Sequence, residues 1–227
     1  DAPRPVIAVL GAGSWGTALA VLIARNGHPV ILWGHDSARM AQLAHARENT
    51  RYLPGLQFPD NLTISDDLLA AAKQAAHLLV VVPSHAFRAT LDAMKSQLAP
   101  NAIVAWATKG LEPATGRPLS QVAAEVLGAS HPLAAVSGPT FAREVAQGLP
   151  TAVTAAADST DTAEAVANWL RSDRVRVYTS TDMIGVELGG AIKNVLAIAT
   201  GIGDGLGFGA NARAALITRG LAEMRRL

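Results

Sequence analysis

Short apolar runs alternate with helical segments along most of the chain. The runs are rich in Val, Ile and Leu, which is typical of strands buried on both faces, and the segments between them repeat their apolar positions with a helical period. This alternation predicts an α/β fold with a doubly wound, mostly parallel sheet. Ser37 and Ser84 are placed to cap two of the helices. The predicted strands are VIAVL, PVILW, residues 62–64, HLLVVVP, NAIVAWATKG, PLAAVSGP, TAVTAAA and VRVYTS. The main predicted helices cover about 15–26, 37–48, 66–76, 85–98, 119–127 and 162–170.

The pattern changes at Thr181-Asp182. Beyond this point no strand signal remains in the sequence, and two glycine-interrupted helical segments continue to Leu227. We therefore predict a domain boundary at residue 181. Residues 1–181 are expected to form the sheet domain, and residues 182–227 the first helices of an all-α domain.

The first apolar run, VIAVLGAGSWGT, is compatible by length with a membrane span or a signal peptide, because no charge occurs between Val6 and Ala24. Its centre argues against both, since three glycines, a serine and a threonine fall where an apolar core should be densest. A strand, a glycine-rich turn, a helix ending at Asn26-Gly27 and the strand PVILW together have the length of one βαβ unit. We interpret the run as the start of a water-soluble domain.

Composition narrows the classes of partner. The chain of 227 residues is 50% hydrophobic and 16% charged, which is enough apolar content for a large core. Nineteen basic and eighteen acidic residues give a net charge of +1 without a long basic run, which argues against nucleic acid as a partner. The absence of cysteine excludes disulfides, thiolate metal sites and a cysteine nucleophile, and it fits a reducing cytoplasm.

The sequence GAGSWG matches the pattern G-x-G-x-x-G at the end of a predicted strand. In such a motif Gly11 permits a tight turn, Gly13 lets backbone approach a pyrophosphate, and Gly16 lets helix and strand pack closely. The pyrophosphate then meets N–H groups at the start of the helix. The context of strand before and helix after predicts a Rossmann-type, dinucleotide-binding domain, rather than a merely structural turn.

The second strand should end beside the ribose of the dinucleotide, in the stretch WGHDSAR. Asp36 follows Gly16 at about the spacing expected of an acid that binds the ribose 2′-hydroxyl, but it could equally cap the next helix. His35 and Arg39 could instead accept the 2′-phosphate of NADP. The residues alone leave NAD and NADP both open.

Two lysines are candidates for chemistry. Lys109 follows the strand AIVAWA, at the sheet edge where α/β proteins bind ligands, although an ordinary exposed loop lysine would look the same. Lys193 lies in ELGGAIKNVLAIATG, where its neighbours at three and four residues are glycines or apolar. Such a lysine either snorkels to solvent or sits in a dry pocket, where burial lowers the pKa of its amine toward the range useful for acid–base work.

The stretch VSGPTFAREV is a third candidate. It leaves a strand, turns at Gly138-Pro139 and begins a helix near Thr140, so its N–H groups form a candidate cradle for an anion or an amide. Pro139 in the first turn of a helix is equally good ordinary structure. The sequence contains neither H-E-x-x-H nor G-x-S-x-G, so no metal site or serine hydrolase is predicted.

Taken together, these stretches closely resemble the bacterial NAD(P)-dependent glycerol-3-phosphate dehydrogenases. The resemblance extends from about residue 7 to residue 226 and is far more specific than the glycine motif alone. It implies a Rossmann-type domain followed by a helical substrate domain. The matching stretches are GAGSWGTALA, LWGHD, VVVPSH, ATKGLE, SGPTFAREVAQGLPTAV, IGVELGGAIKNVLAIA and GFGANARAALITRGLAEM.

The resemblance implies hydride transfer between NAD(P)H and dihydroxyacetone phosphate, giving sn-glycerol 3-phosphate for phospholipid synthesis. Lys193 would donate the proton to the forming alkoxide, which a nearby cation also stabilises. Lys109 would hold the substrate and the nicotinamide side of the site. By the same resemblance, Gly138 and Thr140 would contact substrate, and Ser14, Trp15, His35 and Ala142 would contact the cofactor.

Members of the family would continue past Leu227 through a GLGDL-type and an S-R-N segment that bind substrate phosphate and cofactor. The expectation is therefore of a shortened form, whose open apolar helices favour association into a homodimer. We expect a cytoplasmic location without membrane insertion. The alternatives are a dinucleotide-binding fragment without turnover, and a related lysine-dependent keto-acid reductase.

Overall fold

The computed structural model describes residues 3–128, 131–138 and 141–226. Its strands are β1 Ile7–Leu10, β2 Val30–Trp33, β3 Leu62–Ser65, β4 His77–Val80, β5 Val104–Trp106, β6 Leu133–Ser137, β7 Thr151–Ala157 and β8 Val175–Ser180. Its helices are α1 Ser14–Arg25, α2 Ser37–Ala46, α3 Leu68–Gln74, α4 Ser84–Met94, α5 Leu119–Leu127, α6 Ala142–Gln147, α7 Thr160–Leu170, α8 Met183–Gly205 and α9 Gly209–Met224, with a short 3-10 turn at Lys95–Gln97.

The eight strands form one sheet in the order β3-β2-β1-β4-β5-β6-β7-β8. Every neighbouring pair is parallel except β6 and β7, which run antiparallel. The chain therefore winds outward from β1 in both directions, which confirms the predicted α/β, doubly wound and mostly parallel fold. The direction of winding reverses between β1 and β4, and α/β proteins of this type bind ligands in the crevice at that point.

Both faces of the sheet are covered, as the uninterrupted apolar strands predict. Ile7 and Val9 pack on one face with the helices α1, α2, α6 and α7, and Ala8 and Leu10 pack on the other with α3, α4 and α5. All four side chains of β1 are fully buried. The central strands are thereby fixed, and the loops at their carboxyl ends stand on a rigid base.

Two predicted helix caps are wrong. Helix α2 is capped by Asp36, whose carboxylate accepts a hydrogen bond from the Arg39 N–H at 3.1 Å, and Ser37 is already helical. Helix α4 follows Pro83 without a side-chain cap, so Ser84 is its first residue and not its cap. In each case the residue one position earlier takes the extended conformation that precedes a helix.

Helix α8 begins after the last strand, with Asp182 as its cap, and continues for 23 residues. By length and composition it could span a membrane, a test that core helices of soluble proteins also pass. Its first half contacts β6 and β7, and α9 folds back along it. The change from strands to helices falls at the predicted residue 181, although the division into two domains stays a prediction.

Candidate active site

The glycine motif forms the turn from β1 to α1. Gly11 adopts a φ of +126°, and a Cβ there would lie 2.7 Å from the backbone oxygen of Val81. A Cβ on Gly16 would overlap the carbonyl oxygen of Gly11, so only glycine lets the helix approach the strand this closely. A Cβ on Gly13 would meet nothing within 4 Å, which leaves space for a ligand against the backbone. The three positions fit the three predicted roles.

Helix α1 starts immediately beyond this turn. Gly13 is its N-cap and provides no side-chain hydrogen bond. The first N–H groups of a helix lack partners within the helix, and they carry the positive end of its dipole. Ser14 and Trp15 are the first two residues of the helix, and both line the cleft above the turn. This end of the sheet can therefore hold a pyrophosphate.

The cleft has a volume of about 830 Å³ and lies over the carboxyl ends of β1, β2, β4 and β5. Its size is in the range of small-molecule and cofactor sites. All of the predicted cofactor residues except Ala142 line it. They are Gly11, Gly13, Ser14, Trp15, Gly16, His35, Asp36 and Lys109.

At the β2 end of the cleft, Asp36 is engaged as the cap of α2. Arg39 lies one helical turn further on, with its guanidinium carbon 4.3 Å from the centre of the Tyr52 ring. Its Nη2 donates to the backbone oxygen of Ala12 at 3.3 Å, whereas its Nε is buried without a hydrogen-bond partner among the described residues. His35 also faces the cleft. The ribose end thus combines a carboxylate that caps a helix with a guanidinium and an imidazole.

Lys109 follows β5 and reaches over the mouth of the cleft toward the glycine turn. Its ammonium nitrogen lies 5.8 Å from the centre of the Trp15 ring. Partial burial lowers the pKa of its amine. The preceding residue, Thr108, donates its hydroxyl hydrogen to the backbone oxygen of Val82 at 2.8 Å and thereby ties the loop to the end of β4.

Lys193 projects from α8 and is half-buried. Its ammonium donates to the carbonyl oxygen of Gly138 at 2.5 Å. Burial lowers the pKa of Lys193, and the positive charge of Lys109 lowers it further, which places the two amines within electrostatic reach. The amine is thus tied to the end of β6, and its place in a dry pocket stays a prediction. Two elements far apart in sequence therefore bring their amines to one edge of the sheet.

The remaining predicted contacts lie around the end of β6. Gly138 comes directly after the strand and accepts the Lys193 hydrogen bond. Thr140 and Pro139 lie outside the described residues. Ala142 is the first residue of α6 and packs in a small apolar cluster with Ala18, beneath Trp15. Its contact with a cofactor stays a prediction.

Sequence reasoning missed Glu187, which stands on α8 between the cap and Lys193. Its carboxylate accepts hydrogen bonds from the Trp106 indole and from Ser120, and it lines a small cavity together with Lys109. The available signal was a single acid in the apolar stretch IGVELGGAIKNV. Arg39 was predicted only as an alternative partner for a 2′-phosphate, and its contact with Tyr52 was not predicted.

The site combines a turn that can bind phosphate, an open cleft beside that turn, and two lysine amines whose pKa values are lowered. A protonated amine can stabilise negative charge developing on a carbonyl oxygen and then supply the proton. The arrangement is suited to reduction of a carbonyl compound by a dinucleotide.

Comparison with known proteins agrees with this geometry. The family model described as NAD-dependent glycerol-3-phosphate dehydrogenase N-terminus matches residues 6–163, and the one described as the C-terminus matches residues 182–227. The glycerol-3-phosphate dehydrogenase of Thioalkalivibrio sulfidiphilus is 58% identical over 224 residues, which are 99% of this chain and 67% of that relative. The Aeromonas salmonicida enzyme of the same name is 55% identical over 227 residues, which are 100% of this chain and 68% of that relative.

Among solved structures, the glycerol-3-phosphate dehydrogenase of Coxiella burnetii superposes with a TM-score of 0.91 at 48% identity. The match covers 98% of this chain and 68% of that one. The chain thus spans about two thirds of the length of the relatives that it matches.

Proposed function

Because the chain belongs to the NAD-dependent glycerol-3-phosphate dehydrogenase family, we propose that it belongs to an oxidoreductase that converts dihydroxyacetone phosphate to sn-glycerol 3-phosphate with NADH or NADPH. Family membership confirms the resemblance drawn from the sequence motifs, together with NAD or NADP as the class of cofactor. The product would supply phospholipid synthesis.

One observation carries the proposal: Lys109 lines the dinucleotide cleft, and its positive charge is one of the causes that lower the pKa of Lys193, whose amine is hydrogen-bonded to Gly138 at the end of β6. A lone amine would be compatible with simple binding. Two amines with lowered pKa values beside the cleft are the arrangement that proton transfer and charge stabilisation require.

The residues fit a nicotinamide dinucleotide. Gly13 leaves open space against the backbone at the start of α1, and the unpartnered Arg39 Nε lies at the ribose end of the cleft. When bound, the dinucleotide supplies the hydride. Lys109 and Trp15 stand where they would hold the nicotinamide side, at the opposite end of the cleft from His35.

In the proposed mechanism, Lys193 donates a proton to the substrate carbonyl oxygen during reduction and accepts it back in the reverse direction. Lys109 attracts the substrate and stabilises charge on its oxygen. Its positive charge also disfavours a second proton nearby, which makes Lys193 a stronger acid. Gly138 and Thr140 are proposed to contact the substrate, with the Gly138 carbonyl oxygen holding the Lys193 amine in place.

We also propose a cytoplasmic location, no membrane insertion and association into a homodimer. Half or more of each apolar side chain at Val195, Ile198, Ile202, Leu206, Phe208 and Leu221 is exposed on α8 and α9, an extent of apolar surface that favours a protein contact. The charged Glu187 and Lys193 of α8 are both hydrogen-bonded to the sheet domain. Sedimentation at micromolar concentration tests the dimer, and a single monomeric species would refute it.

The activity is tested by following NADH and NADPH absorbance with dihydroxyacetone phosphate and, in parallel, with 2-keto acids. Oxidation with the former alone supports the proposal, and oxidation with a 2-keto acid alone would support the keto-acid reductase instead. Cofactor binding without any turnover would favour the dinucleotide-binding alternative.

The role of Lys193 is tested by Lys193→Ala. Its turnover should fall at least about 100-fold, the lower range of general acid–base contributions, while NADH affinity stays within about twofold. Near-normal turnover would exclude Lys193 as the proton donor.

A further inference from the structure

Glu187 joins three elements of the fold. One oxygen of its carboxylate accepts hydrogen bonds from the Trp106 indole and from the Ser120 N–H, each at 3.0 Å, and the other accepts from the Ser120 hydroxyl at 2.5 Å. Trp106 ends β5, Ser120 lies in the first turn of α5, and Glu187 belongs to α8. The carboxylate is thus a bridge between the long helix and the part of the sheet that carries Lys109.

The surroundings of the Glu187 carboxylate provide hydrogen-bond donors for its charge and restrict its position. Burial raises the pKa of Glu187, and the hydrogen bonds from Ser120 and Trp106 oppose that effect. The start of α5 presents the positive end of its dipole and the Ser120 N–H, which has no partner within the helix and donates to Glu187; both favour a carboxylate. Three donors directed at one carboxylate restrict its position more than a surface ion pair would.

Helix α8 also makes close contacts with β6. Gly190 lies against Ser137, where a Cβ would be 2.5 Å from the serine hydroxyl oxygen. Lys193 reaches Gly138 at the end of the same strand. The helix is therefore attached on one side through Glu187 to β5 and α5, and on the other through Gly190 and Lys193 to β6.

We propose that Glu187 is a positioning residue, which fixes the rotation and height of α8 and thereby holds the Lys193 amine at the Gly138 carbonyl oxygen. The functional meaning rests on the role of Lys193 proposed above. The structural claim, that Glu187 sets the surroundings of the Lys193 amine, stands apart from turnover.

Small movements of this helix are large on the scale of the chemistry. Glu187 and Lys193 are about 9 Å apart along the axis, and a rotation of about 20° moves a side-chain end by about 2 Å at the radius of a helix. A misplacement of about 1 Å can cost about 100-fold in rate. Burial and the charge of Lys109 are the causes that lower the Lys193 pKa, so we expect Glu187 to act through the position of α8 and not through its own charge.

The test uses two matched substitutions. Glu187→Gln removes the charge but keeps the length of the side chain, an oxygen for Trp106 and an N–H for the Ser120 hydroxyl. Glu187→Asp keeps the charge but is shorter by one methylene, so its carboxylate cannot reach both partners with α8 in place. Positioning therefore predicts a change only in the aspartate variant, whereas a charge effect predicts a change only in the glutamine variant.

The readout is the pKa of Lys193, measured by NMR on protein labelled with 13C at the lysine ε-carbon. The chain contains four lysines, of which Lys73 and Lys95 are exposed and provide reference signals in the same spectrum. Lys193→Arg assigns the signal. In Glu187→Asp the Lys193 pKa should rise toward the ordinary lysine value, because the amine loses its half-buried place beside Lys109. In Glu187→Gln it should stay lowered.

NADH affinity within twofold of the unsubstituted protein shows that each variant is folded. Glu223→Gln removes a partly exposed carboxylate on α9 that pairs with Arg219 and Arg226; it is the control and should leave the Lys193 pKa and NADH affinity unchanged. If the aspartate variant does not bind NADH, Ser120→Ala replaces it in the experiment. This substitution removes the hydroxyl donor to Glu187 and should shift the Lys193 pKa in the same direction by a smaller amount. An unchanged Lys193 pKa in the folded aspartate or alanine variant overturns the proposal, as does a shift confined to Glu187→Gln. Loss of the proposed reaction with the NMR result intact would instead count against the enzymatic role alone.

Discussion

Gly13 and Gly16 belong to one motif but have different surroundings, so alanine at each position should separate cofactor contact from folding. A Cβ on Gly16 would overlap the carbonyl oxygen of Gly11 and lie 3.0 Å from its carbon. Both are backbone atoms, and they can move aside only if β1 or α1 shifts. A Cβ on Gly13 would meet no atom of the described residues within 4 Å, and the φ of Gly13 is −75°, which alanine adopts without strain.

The expected magnitudes follow from these contacts. Overpacking a core costs about 1–3 kcal/mol, and the upper value applies to Gly16→Ala because the clash is with backbone. For a chain of this length that loss lowers the Tm by about 6–12 °C. In Gly13→Ala the conformational gain of alanine offsets the poorer helix cap, so stability should stay within about 0.5 kcal/mol. The new methyl group occupies the approach to the backbone, however, and we expect at least about a tenfold loss of NADH affinity, equivalent to about 1.4 kcal/mol.

Urea unfolding followed by circular dichroism measures stability, and quenching of NADH fluorescence measures affinity. Gly55→Ala is unsuitable as a control because the φ of Gly55 is +83°. Gly189 is suitable, because a Cβ there would meet no described residue within 4 Å and it lies on α8, away from the glycine turn. Gly189→Ala should leave NADH affinity unchanged and should raise stability by about 0.4–1 kcal/mol, the usual effect of alanine for glycine inside a helix. Two results would refute the reasoning: NADH binding of normal strength by Gly13→Ala, or a loss of stability in Gly13→Ala equal to that in Gly16→Ala.

Four further predictions concern the ribose end of the cleft and the two lysines. Asp36→Ala should lower the free energy of unfolding by about 1 kcal/mol through loss of the α2 cap, and NADH affinity should change less than twofold. A tenfold loss of NADH affinity would instead show that Asp36 binds the ribose. Arg39→Ala should weaken NADPH binding about tenfold more than NADH binding, because only the phosphorylated ribose brings extra negative charge, and equal losses in fluorescence titrations would contradict this. The rate of reduction should be highest while Lys193 is protonated and should fall as the pH rises through its lowered pKa. A rate that stays constant up to the pH at which an ordinary lysine titrates would contradict this. In the 13C spectra, Lys109→Met should raise the pKa of Lys193, because it removes the neighbouring charge.

The features that the sequence predicted well are those in which local pattern and tertiary environment agree. The uninterrupted apolar runs could only be strands covered on both faces, and β7 and β8 begin and end at the predicted residues. The glycine motif was readable for a similar reason, since its spacing reflects steric limits imposed by the chain immediately around it. Helix caps were less certain. Asp36 and Ser37 are both good capping residues, and only the backbone conformation decides between them.

The partners of Lys193 could not be predicted from spacing, because they come from other elements. Gly138 lies 55 positions earlier in the chain, and Glu187 meets Ser120 across 67 positions. Those contacts depend on the angle at which α8 crosses the end of the sheet, and that angle depends in turn on the close approach of Gly190 to Ser137. An apolar helical pattern specifies that a helix is buried on one side but not its rotation about its own axis by a few tens of degrees. At this site that rotation decides whether an amine faces solvent or another amine, so the chemistry of Lys193 is a property of the packing of α8.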